Sequence, residues 1–287
     1  MRSFLLAVLA LLWTALLDAH PGRGIVIDAQ GRIFVADAVR SVVWRVSPDG
    51  RVTAAAREVH AHWLALHEDG VLADQVRHVD GRFLRGLLHL DAQGTMRELI
   101  EPAPDPHGLD AGAFAATPRG IAIARDSQRT IDWWVDGARS RGALLELGDD
   151  DTINSLIATP EGALIAVLGR ALWSLPADQP PRLIATVPAG SAQRLLQLRE
   201  LWGLARAADG TLYTTDPGLR TVLRIGTDGR FSTVFESEAP WFPTGVAHDR
   251  GQLYILEHGL DERGNLGPRI RRVDPAGGTT ILATIED

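Results

Sequence analysis

Two residue types are missing from this sequence of 287 residues, which contains neither cysteine nor lysine. Without cysteine there is no disulfide, no thiolate nucleophile and no zinc site built on thiolates. Without lysine there is no Schiff base to a protein amine and no phosphate-binding lysine of the P-loop kind. All 29 permanently basic side chains are therefore arginines. Any fixed positive charge in a functional site of this protein must come from arginine.

The charge balance is acidic, with a formal net charge of −7. Nucleic-acid binding needs a basic face, and attraction to anionic lipid needs a basic cluster, so neither partner is predicted. The chain is 45% hydrophobic, and a single all-β unit can reach this length. One domain with a large core is expected.

The amino terminus has the pattern of an export signal. Arg2 precedes an apolar run from Phe4 to Leu17, and a small residue follows at Ala19. The pattern predicts a signal peptide over residues 1–19, cleaved near Ala19, and hence a secreted or periplasmic protein. The alternatives are an uncleaved anchor or a buried helix, because spanning a bilayer takes about 20 apolar residues. No later segment is apolar enough to span, so no membrane span is expected after cleavage.

The clearest local pattern runs from Leu201 to Phe235, where two Asp-Gly turns and one looser loop separate four β-prone runs. Asp-Gly between apolar runs indicates a hairpin, because glycine adopts positive φ without steric strain. The segment therefore predicts a four-stranded antiparallel sheet. Its strands A, B, C and D are Trp202–Ala205, Thr211–Thr215, Val222–Ile225 and Phe231–Phe235.

The same order of strands recurs along the chain. Strand A begins near Gly24, Trp63, Gly120, Ser155, Gly203 and Gly245, and strand B ends at Asp37, Asp74, Asp136, Gly169, Asp216 and Glu257. Gly203 and Gly245 are 42 residues apart, within the range of about 40–50 residues for a propeller blade. The repetition predicts an all-β, six-bladed β-propeller of four-stranded antiparallel blades over residues 20–287. An eight-stranded barrel or a sandwich is the alternative, and neither predicts this order. The predicted blades cover 20–57, 58–102, 115–151, 152–187, 200–236 and 241–285, and the fourth strand of the third copy cannot be located.

Segment lengths differ between the two faces of the predicted propeller. The A–B and C–D turns are tight, whereas the B–C and inter-blade connections include Gln75–Gly86, Glu101–Pro118, Pro188–Leu201 and His258–Arg269. Long loops on one face of a rigid scaffold often carry binding residues, although surface loops also drift in length. The long-loop face is therefore the predicted functional face. Phe114 is predicted either to cover the channel mouth or to belong to a packed spacer.

The residues just before each A strand would meet at the mouth of the central channel. Because arginine binds carboxylate or phosphate through two nitrogens, this set predicts a site for a small polar or anionic ligand, or for a protein partner. The acidic residues that end the B strands would lie nearby, with turn capping as their alternative role. The predicted ligand-binding residues are Arg23, His62, Arg119, Asn154, Trp202, Thr244 and Glu257.

At residues 24–37 and 243–247 the sequence resembles NHL-repeat propellers, and it is similar to the SMP-30/gluconolactonase-like group. The resemblance implies a divalent cation such as calcium, magnesium or zinc at the channel mouth, held by Glu, Asn and Asp just before the A-strand glycines. This sequence departs from that set: Arg23 stands where the glutamate is expected, and Thr244 or Trp202 stands where the aspartate is expected. Asn154 is the one residue of a matching type and the candidate metal ligand.

Three functions are consistent with these patterns. The leading hypothesis is an exported propeller that binds a ligand or protein through its long-loop face. The second, implied by the resemblance, is a metal-dependent hydrolase of a lactone or ester, with His62, Asp74 and Asp216 as candidate catalytic residues. The third is a scaffold in a cell-envelope assembly.

Overall fold

The structure, a computed structural model, describes residues 21–68, 70–104, 113–125, 130–140, 153–177, 179–189, 198–261 and 264–286. Its strands form six sheets of four strands each within these ranges. Each sheet is an antiparallel meander of four strands consecutive in the chain. In the same residues, no helix has the length and apolarity needed to cross a bilayer.

The first three blades cover the amino-terminal half of the described chain. The first blade consists of β1 (Ile25–Ile27), β2 (Ile33–Asp37), β3 (Val42–Val46) and β4 (Val52–Arg57). The second consists of β5 (Leu64–His67), β6 (Gly70–Val79), β7 (Arg82–Leu90) and β8 (Met96–Pro104). The third consists of β9 (Phe114–Thr117), β10 (Gly120–Arg125), β11 (Thr130–Val135) and β12 (Ala138–Ser140).

The other three blades complete the ring. The fourth blade consists of β13 (Ile153–Ala158), β14 (Leu164–Leu168), β15 (Ala171–Leu175) and β16 (Arg182–Thr186). The fifth consists of β17 (Leu204–Arg206), β18 (Leu212–Asp216), β19 (Thr221–Ile225) and β20 (Phe231–Glu236). The sixth consists of β21 (Trp241–Asp249), β22 (Gln252–Asp261), β23 (Gly264–Val273) and β24 (Thr279–Thr284).

The first strand of each blade faces a common axis. Strands β1, β5, β9, β13, β17 and β21 contact one another in that order, and β21 returns to β1. The predicted six-bladed β-propeller is therefore confirmed. The ring closes by packing rather than by a shared strand, because the first and last blades are both complete meanders. Ile33 and Val35 of the first blade share a buried cluster with Leu256 and Ile270 of the last.

The glycines that mark the A strands are explained by close approach between inner strands. A Cβ atom on Gly245 would lie 2.2 Å from the carbonyl oxygen of Arg23, and one on Gly24 would lie 2.5 Å from the amide nitrogen of Leu64. Both separations are far below contact distance, so only glycine lets neighbouring inner strands pack this tightly. The glycine at the beginning of an A strand is therefore explained by the short distance between neighbouring inner strands at that point of the channel.

The third blade is shifted by one strand from its prediction. Gly120 was predicted to begin strand A, but it begins β10, the second strand, and the inner strand is β9. Asp136 was predicted to end strand B, but it lies in the tight turn between β11 and β12 with a φ of 50°. The error arose because β9 follows a proline-rich segment that resembles a loop. Residues 141–151, the last part of the predicted third blade, lie outside the described residues.

Two segments predicted as long loops are extended hairpins. Most of Gln75–Gly86 belongs to β6 and β7, which are joined at Asp80 and Gly81 with φ values of 49° and 73°. These angles fit the hairpin turns that match strand twist. Within His258–Arg269, residues 258–261 belong to β22 and residues 264–269 belong to β23. Phe114 does not cover the channel mouth, so that prediction is wrong. It is 3% exposed in β9 and belongs to the core.

Candidate functional site

Five of the predicted site residues gather where the inner strands begin. Arg23 precedes β1, His62 precedes β5, Trp202 precedes β17, and Asn154 and Thr244 lie in β13 and β21. The ring geometry brings them together because inner strands start at the same end of the channel. The amide nitrogens of Arg23 and Gly24 both donate to the carbonyl oxygen of His62 at 2.8 Å, which ties the first blade to the second.

Arg23 is the centre of this group. Its guanidinium carbon lies 4.1 Å from the ring centroid of Trp202 and 5.3 Å from that of Trp63. Its NH1 group donates to Asn154 Oδ1 at 3.1 Å. Cation–π contacts of this kind contribute about 0.5–2 kcal/mol each, depending on how dry they are. Arg23 of the first blade is therefore held by residues of three other blades: Trp63 of the second, Asn154 of the fourth and Trp202 of the fifth.

Asn154 is placed by an irregularity in its strand. The pairing of β13 with β14 shifts register between Ile153 and Ser155, so Asn154 is the extra residue of a β-bulge. Bulges redirect a side chain out of the regular alternation. Asn154 is 1% exposed, and its backbone oxygen accepts from Trp63 Nε1 at 3.1 Å. Its Nδ2 is buried with no hydrogen-bond partner among the described residues.

A cavity of about 330 Å³ lies along the axis with Arg23 at one end. Its lining continues down the inner strands to Ile27, Leu66, Arg206 and Asp249, near the A–B turns. Because each inner strand is the edge of its sheet, its outer neighbour satisfies only one side of its backbone. The wall therefore combines backbone polar groups with side chains. The cavity is on the A–B turn side of Arg23, away from the extended hairpins.

His62 and Asp74 form a second polar pair beside Arg23. Asp74 Oδ1 accepts from the amide nitrogens of His62 and Trp63 at 2.7 and 2.8 Å. Its Oδ2 lies 3.5 Å from His62 Nδ1, and the ring of His60 lies 4.8 Å from that of His62. Asp74 is 7% exposed, and its two backbone hydrogen bonds hold the carboxylate beside the partly exposed imidazole.

Two other acidic residues at the ends of B strands hold the turns that follow them. Asp37 accepts from the amide of Arg40 at 3.1 Å and from Trp44 Nε1 at 3.0 Å. Asp216 accepts from the amide of Leu219 at 3.1 Å and pairs with Arg170 at 2.8 Å. Both carboxylates are fully buried, and burial raises the pKa of Asp37 above its usual range. These contacts are those of turn capping, and Asp216 is a poor fit to its predicted catalytic role.

Glu257 was predicted to contact a ligand, but the structure places it in a buried ion network. It is fully buried, and its carboxylate accepts from Arg269 Nε at 2.8 Å and Arg271 Nε at 3.1 Å. Arg269 lies 4.0 Å from the ring centroid of Trp241, and Arg271 also reaches Glu238 at 3.2 Å. The result is an internal ion network of the sixth blade.

Thr244 likewise has a structural position. It is fully buried at a bulge of β21, and its hydroxyl donates to the carbonyl oxygen of Gly22 at 2.8 Å. That bond ties the last blade to the segment that carries Arg23. Thr244 therefore supports the site without lining the cavity.

Arg119 was predicted at the channel mouth, and this placement is wrong. It lies in the turn between β9 and β10, exposed, with its guanidinium carbon 4.8 Å from the ring centroid of Trp133. An A–B turn is at the opposite end of the blade from the beginning of strand A. The displacement follows directly from the one-strand shift of the third blade.

A divalent cation at this mouth does not fit the residues present. Asn154 Oδ1, the one predicted ligand atom, accepts from the guanidinium of Arg23. A cation there would meet that positive charge, whereas calcium and magnesium need several oxygen ligands. Over the described part of the chain, no group of three or more histidine and acidic side chains is arranged to hold a metal.

Trp63 is the functional candidate that sequence reasoning missed. It is 7% exposed, contacts Arg23, and donates to the backbone of Asn154. A signal was present, because Trp63 and Trp202 both stand at the beginning of their repeats. The predicted set of ligand-binding residues included His62, the residue before Trp63, in the second repeat, but it included the tryptophan itself, Trp202, in the fifth.

Comparison with known proteins identifies the fold. No protein-family model matches this chain, and no curated protein matches it. Among solved structures, a streptogramin B lyase superposes with a TM-score of 0.60 at 14% identity, over 94% of this chain and 85% of that one. Nidogen, from a nidogen–laminin complex, gives 0.60 at 14% identity, over 92% and 93%. Regucalcin, a calcium-binding protein of Agrobacterium tumefaciens, gives 0.56 at 16% identity, over 85% and 84%. These likenesses confirm a six-bladed propeller similar to the NHL and SMP-30 types.

Proposed function

We propose that this propeller is exported and binds a small polar anion in its central channel, with Arg23 as the anchoring charge. The observation that carries the proposal is the position of the Arg23 guanidinium at one end of an axial cavity, between two indole rings and against Asn154. Arginine recognises carboxylate and phosphate through parallel hydrogen bonds, so the ligand is expected to present one of these groups.

Preorganisation supports a binding role for this arginine. Ordering a flexible side chain upon binding typically costs about 0.5–1.5 kcal/mol. At Arg23 the stacking on Trp202 and the bond to Asn154 impose that order in the folded protein itself. Two different blades supply these contacts, so the geometry is fixed by the ring rather than by a loop. A ligand entering the cavity would meet a charge already in place.

The cavity favours approach from the A–B turn face. Its lining reaches Arg206, His248 and Asp249 at that end. The extended hairpins β6–β7 and β22–β23 lie on the opposite face of the propeller, so they would not contact a ligand that enters from the A–B turns. Contact with a protein partner through those hairpins is a compatible second role, and the similarity to nidogen, found in complex with laminin, is consistent with it.

Hydrolysis of an ester or lactone is a second candidate function, favoured by the contact between His62 and Asp74. The Asp74 carboxylate lies 3.5 Å from His62 Nδ1, and an imidazole beside a carboxylate is suited to act as a general base toward water. Because the residues at the mouth do not fit a cation, such activity is expected to survive chelation. Loss of 4-nitrophenyl acetate turnover in His62→Gln, with His60→Gln unaffected, would support it.

The binding proposal is tested by titrating the full chain with acetate and with inorganic phosphate. The indole N–H resonance of Trp63 is the readout, because that group bonds to Asn154 beside Arg23. Wild type is expected to show saturable shifts, and Arg23→Gln is expected to weaken binding at least tenfold. Arg230→Gln is the matched control, because the Arg230 side chain is 90% exposed on the fifth blade. Equal binding by wild type and Arg23→Gln would refute the proposal.

Export is tested separately by sequencing the amino terminus of the mature protein. Cleavage near Ala19 in protein from the extracellular or periplasmic fraction is the expected result, and protein found in the cytoplasmic fraction with Met1 intact would contradict it.

A further inference from the structure

We propose that a second site of this protein, a groove between the fifth and sixth blades, binds a short apolar peptide with free amino and carboxyl ends. The groove has a volume of about 690 Å³ and is bordered by A–B and C–D turns. It adjoins the axial cavity at His248, which lines both. Arg23 does not line the groove, so this site is separate from the anion site.

The groove exists because the turns that border it carry small residues. Ala207 and Ala208 lie in the A–B turn of the fifth blade, and Gly251, Ala276 and Gly277 lie in turns of the sixth. Gly251 and Gly277 have φ values of 80° and 87°, a conformation that favours glycine. These positions therefore supply no large side chain to fill the space between the blades.

The floor of the groove is apolar and comes from both blades. Leu253 and Val273 of the sixth blade are buried, and Tyr213 and Val234 of the fifth blade are half-buried against the same cluster. The Tyr213 ring lies parallel to the ring of His248, with the centroids 5.6 Å apart and an interplanar angle of 7°. An apolar side chain of a ligand would extend this cluster and be stabilised by burial of its surface.

Charged groups of both signs stand at the rim. Arg224 on β19 is exposed, and its guanidinium has no hydrogen bond or ion pair among the described residues. Asp274 faces the groove from the sixth blade. Its Oδ1 accepts from the amides of Ala276 and Gly278 at 2.9 and 2.8 Å, which leaves Oδ2 without a hydrogen-bond partner in the described part of the chain. A guanidinium on one wall and a carboxylate oxygen on the other are thus open to a ligand.

Asp209 adds a second carboxylate on the wall that carries Arg224. Hydrogen bonds from Thr211, and then the charge of Arg224, hold the pKa of Asp209 below its usual range, so this carboxylate is ionised at neutral pH. The rim therefore carries two carboxylates and one guanidinium. A ligand with negative charge alone would be repelled by the carboxylates, and one with positive charge alone would leave the guanidinium without a counter-ion.

A short peptide with free ends meets all of these requirements. It carries an ammonium group, a carboxylate and apolar side chains in one molecule. In a free amino acid both charges are attached to one carbon, whereas each further residue of a peptide separates them by about 3.3–3.6 Å. That separation suits charges on opposite walls. The volume of the groove lies within the range of about 300–1,000 Å³ for small-molecule sites.

The test titrates the full chain with leucyl-leucine and follows the ring resonances of ¹³C-labelled tyrosine. The chain contains two tyrosines: Tyr213 lines the groove, whereas Tyr254 packs against the buried cluster between the sixth and first blades. A saturable shift of Tyr213, with Tyr254 unchanged, is the expected result. Glycylglycine lacks apolar side chains and is expected to bind at least tenfold more weakly, on the order of the loss of one buried side chain.

Blocked peptides identify the two charged contacts. Leucyl-leucinamide lacks the carboxylate and N-acetyl-leucyl-leucine lacks the ammonium group, and each is expected to bind wild type about tenfold more weakly than leucyl-leucine. Arg224→Gln should abolish the first difference, and Asp274→Asn should abolish the second. Asparagine can also cap the turn, so Asp274→Asn removes the charge and keeps the loop.

The matched controls carry the same changes outside the groove. Arg272 pairs with Tyr254 across the sixth blade as Arg224 pairs with Tyr213 across the fifth, and Asp228 caps the C–D turn of the fifth blade. Neither Arg272 nor Asp228 lines the groove. Arg272→Gln and Asp228→Asn are expected to keep the wild-type affinity for each peptide, and thermal unfolding shows that every variant is folded.

Four results would overturn the proposal. The first is the absence of a saturable Tyr213 shift with leucyl-leucine. The second is a shift of the Trp63 indole resonance without one of Tyr213, which would place the peptide in the axial cavity. The third is equal binding of leucyl-leucine and its doubly blocked form, N-acetyl-leucyl-leucine N-methylamide, which would assign the groove to an internal segment of a protein. The fourth is persistence of both preferences in Arg224→Gln and Asp274→Asn.

Discussion

Two arginines in this protein stack on tryptophan in nearly the same way. Arg23 lies 4.1 Å from the ring of Trp202, and Arg269 lies 4.0 Å from the ring of Trp241. Their hydrogen-bond partners differ. Arg269 donates to the buried carboxylate of Glu257, whereas Arg23 donates to the neutral amide of Asn154. The stacking alone therefore does not distinguish a structural arginine from a binding one. The buried carboxylate of Glu257 indicates a structural role for Arg269, and the position of Arg23 at one end of the axial cavity favours a binding role.

Glu257→Gln is the change with the largest expected effect, because it removes the negative charge from the structural arginine. Arg269 and Arg271 are 5% and 8% exposed and would face each other across a neutral side chain. Breaking a buried ion pair on one side costs about 3–5 kcal/mol of unfolding free energy. Urea denaturation measures it. Glu98→Gln, from the exposed pair with Arg77, should change stability by about 1 kcal/mol or less, and an equal loss in both variants would contradict the assignment.

The pH dependence of stability gives the next largest effect and belongs to the same region. His258 is 3% exposed, and burial, followed by the charge of Arg40, lowers its pKa from 6.5 to about 3. Between these values the unfolded chain binds a proton that the folded protein does not. Stability is therefore full above about pH 6.5 and falls as the pH falls, by about 2 kcal/mol between pH 7 and pH 5.

Denaturation of His258→Gln at the two pH values tests this contribution. The variant should lose most of the difference between pH 7 and pH 5, since the depressed group is gone. His78→Gln, at an exposed position on the second-blade hairpin, should keep the wild-type difference. An unchanged difference in His258→Gln would assign the acid sensitivity to other groups.

Arg23→Gln should have the smallest effect on stability of the folded protein. It removes the cation–π contacts with Trp63 and Trp202 and the hydrogen bond to the neutral amide of Asn154, together worth about 1–2 kcal/mol. It should nevertheless have the largest effect on anion binding. A loss of stability as large as that of Glu257→Gln, measured in the same urea series, would mean that both arginines are structural.

The fold was largely predictable because its repeat has a physical cause. Glycine recurs where inner strands approach closely, and Asp-Gly recurs at tight turns, so both are visible in one sequence. The strand assignment of the third blade was wrong because Gly120, which begins the second strand, has the same sequence context as the glycines that begin A strands. The extended hairpins were missed because their tips carry charged and turn-forming residues that also suit loops.

The site was only partly predictable. Position before an A strand selected Arg23 and Asn154 correctly as neighbours on the axis. The stacking of Arg23 on Trp202 and the bond to Asn154 join residues far apart in sequence, and no local pattern encodes such distances. The bulge that redirects Asn154 is likewise a property of strand pairing rather than of local composition.

The most direct test of the account is a crystal structure of the full chain grown with 4-bromobenzoate, in which anomalous scattering locates the bromine. We predict a bromine peak in the axial cavity, on the A–B turn side, with the carboxylate paired to Arg23 and no peak at Arg269. An axial cavity without bromine, in crystals where the compound binds elsewhere on the propeller, would contradict the claim that Arg23 anchors an anion.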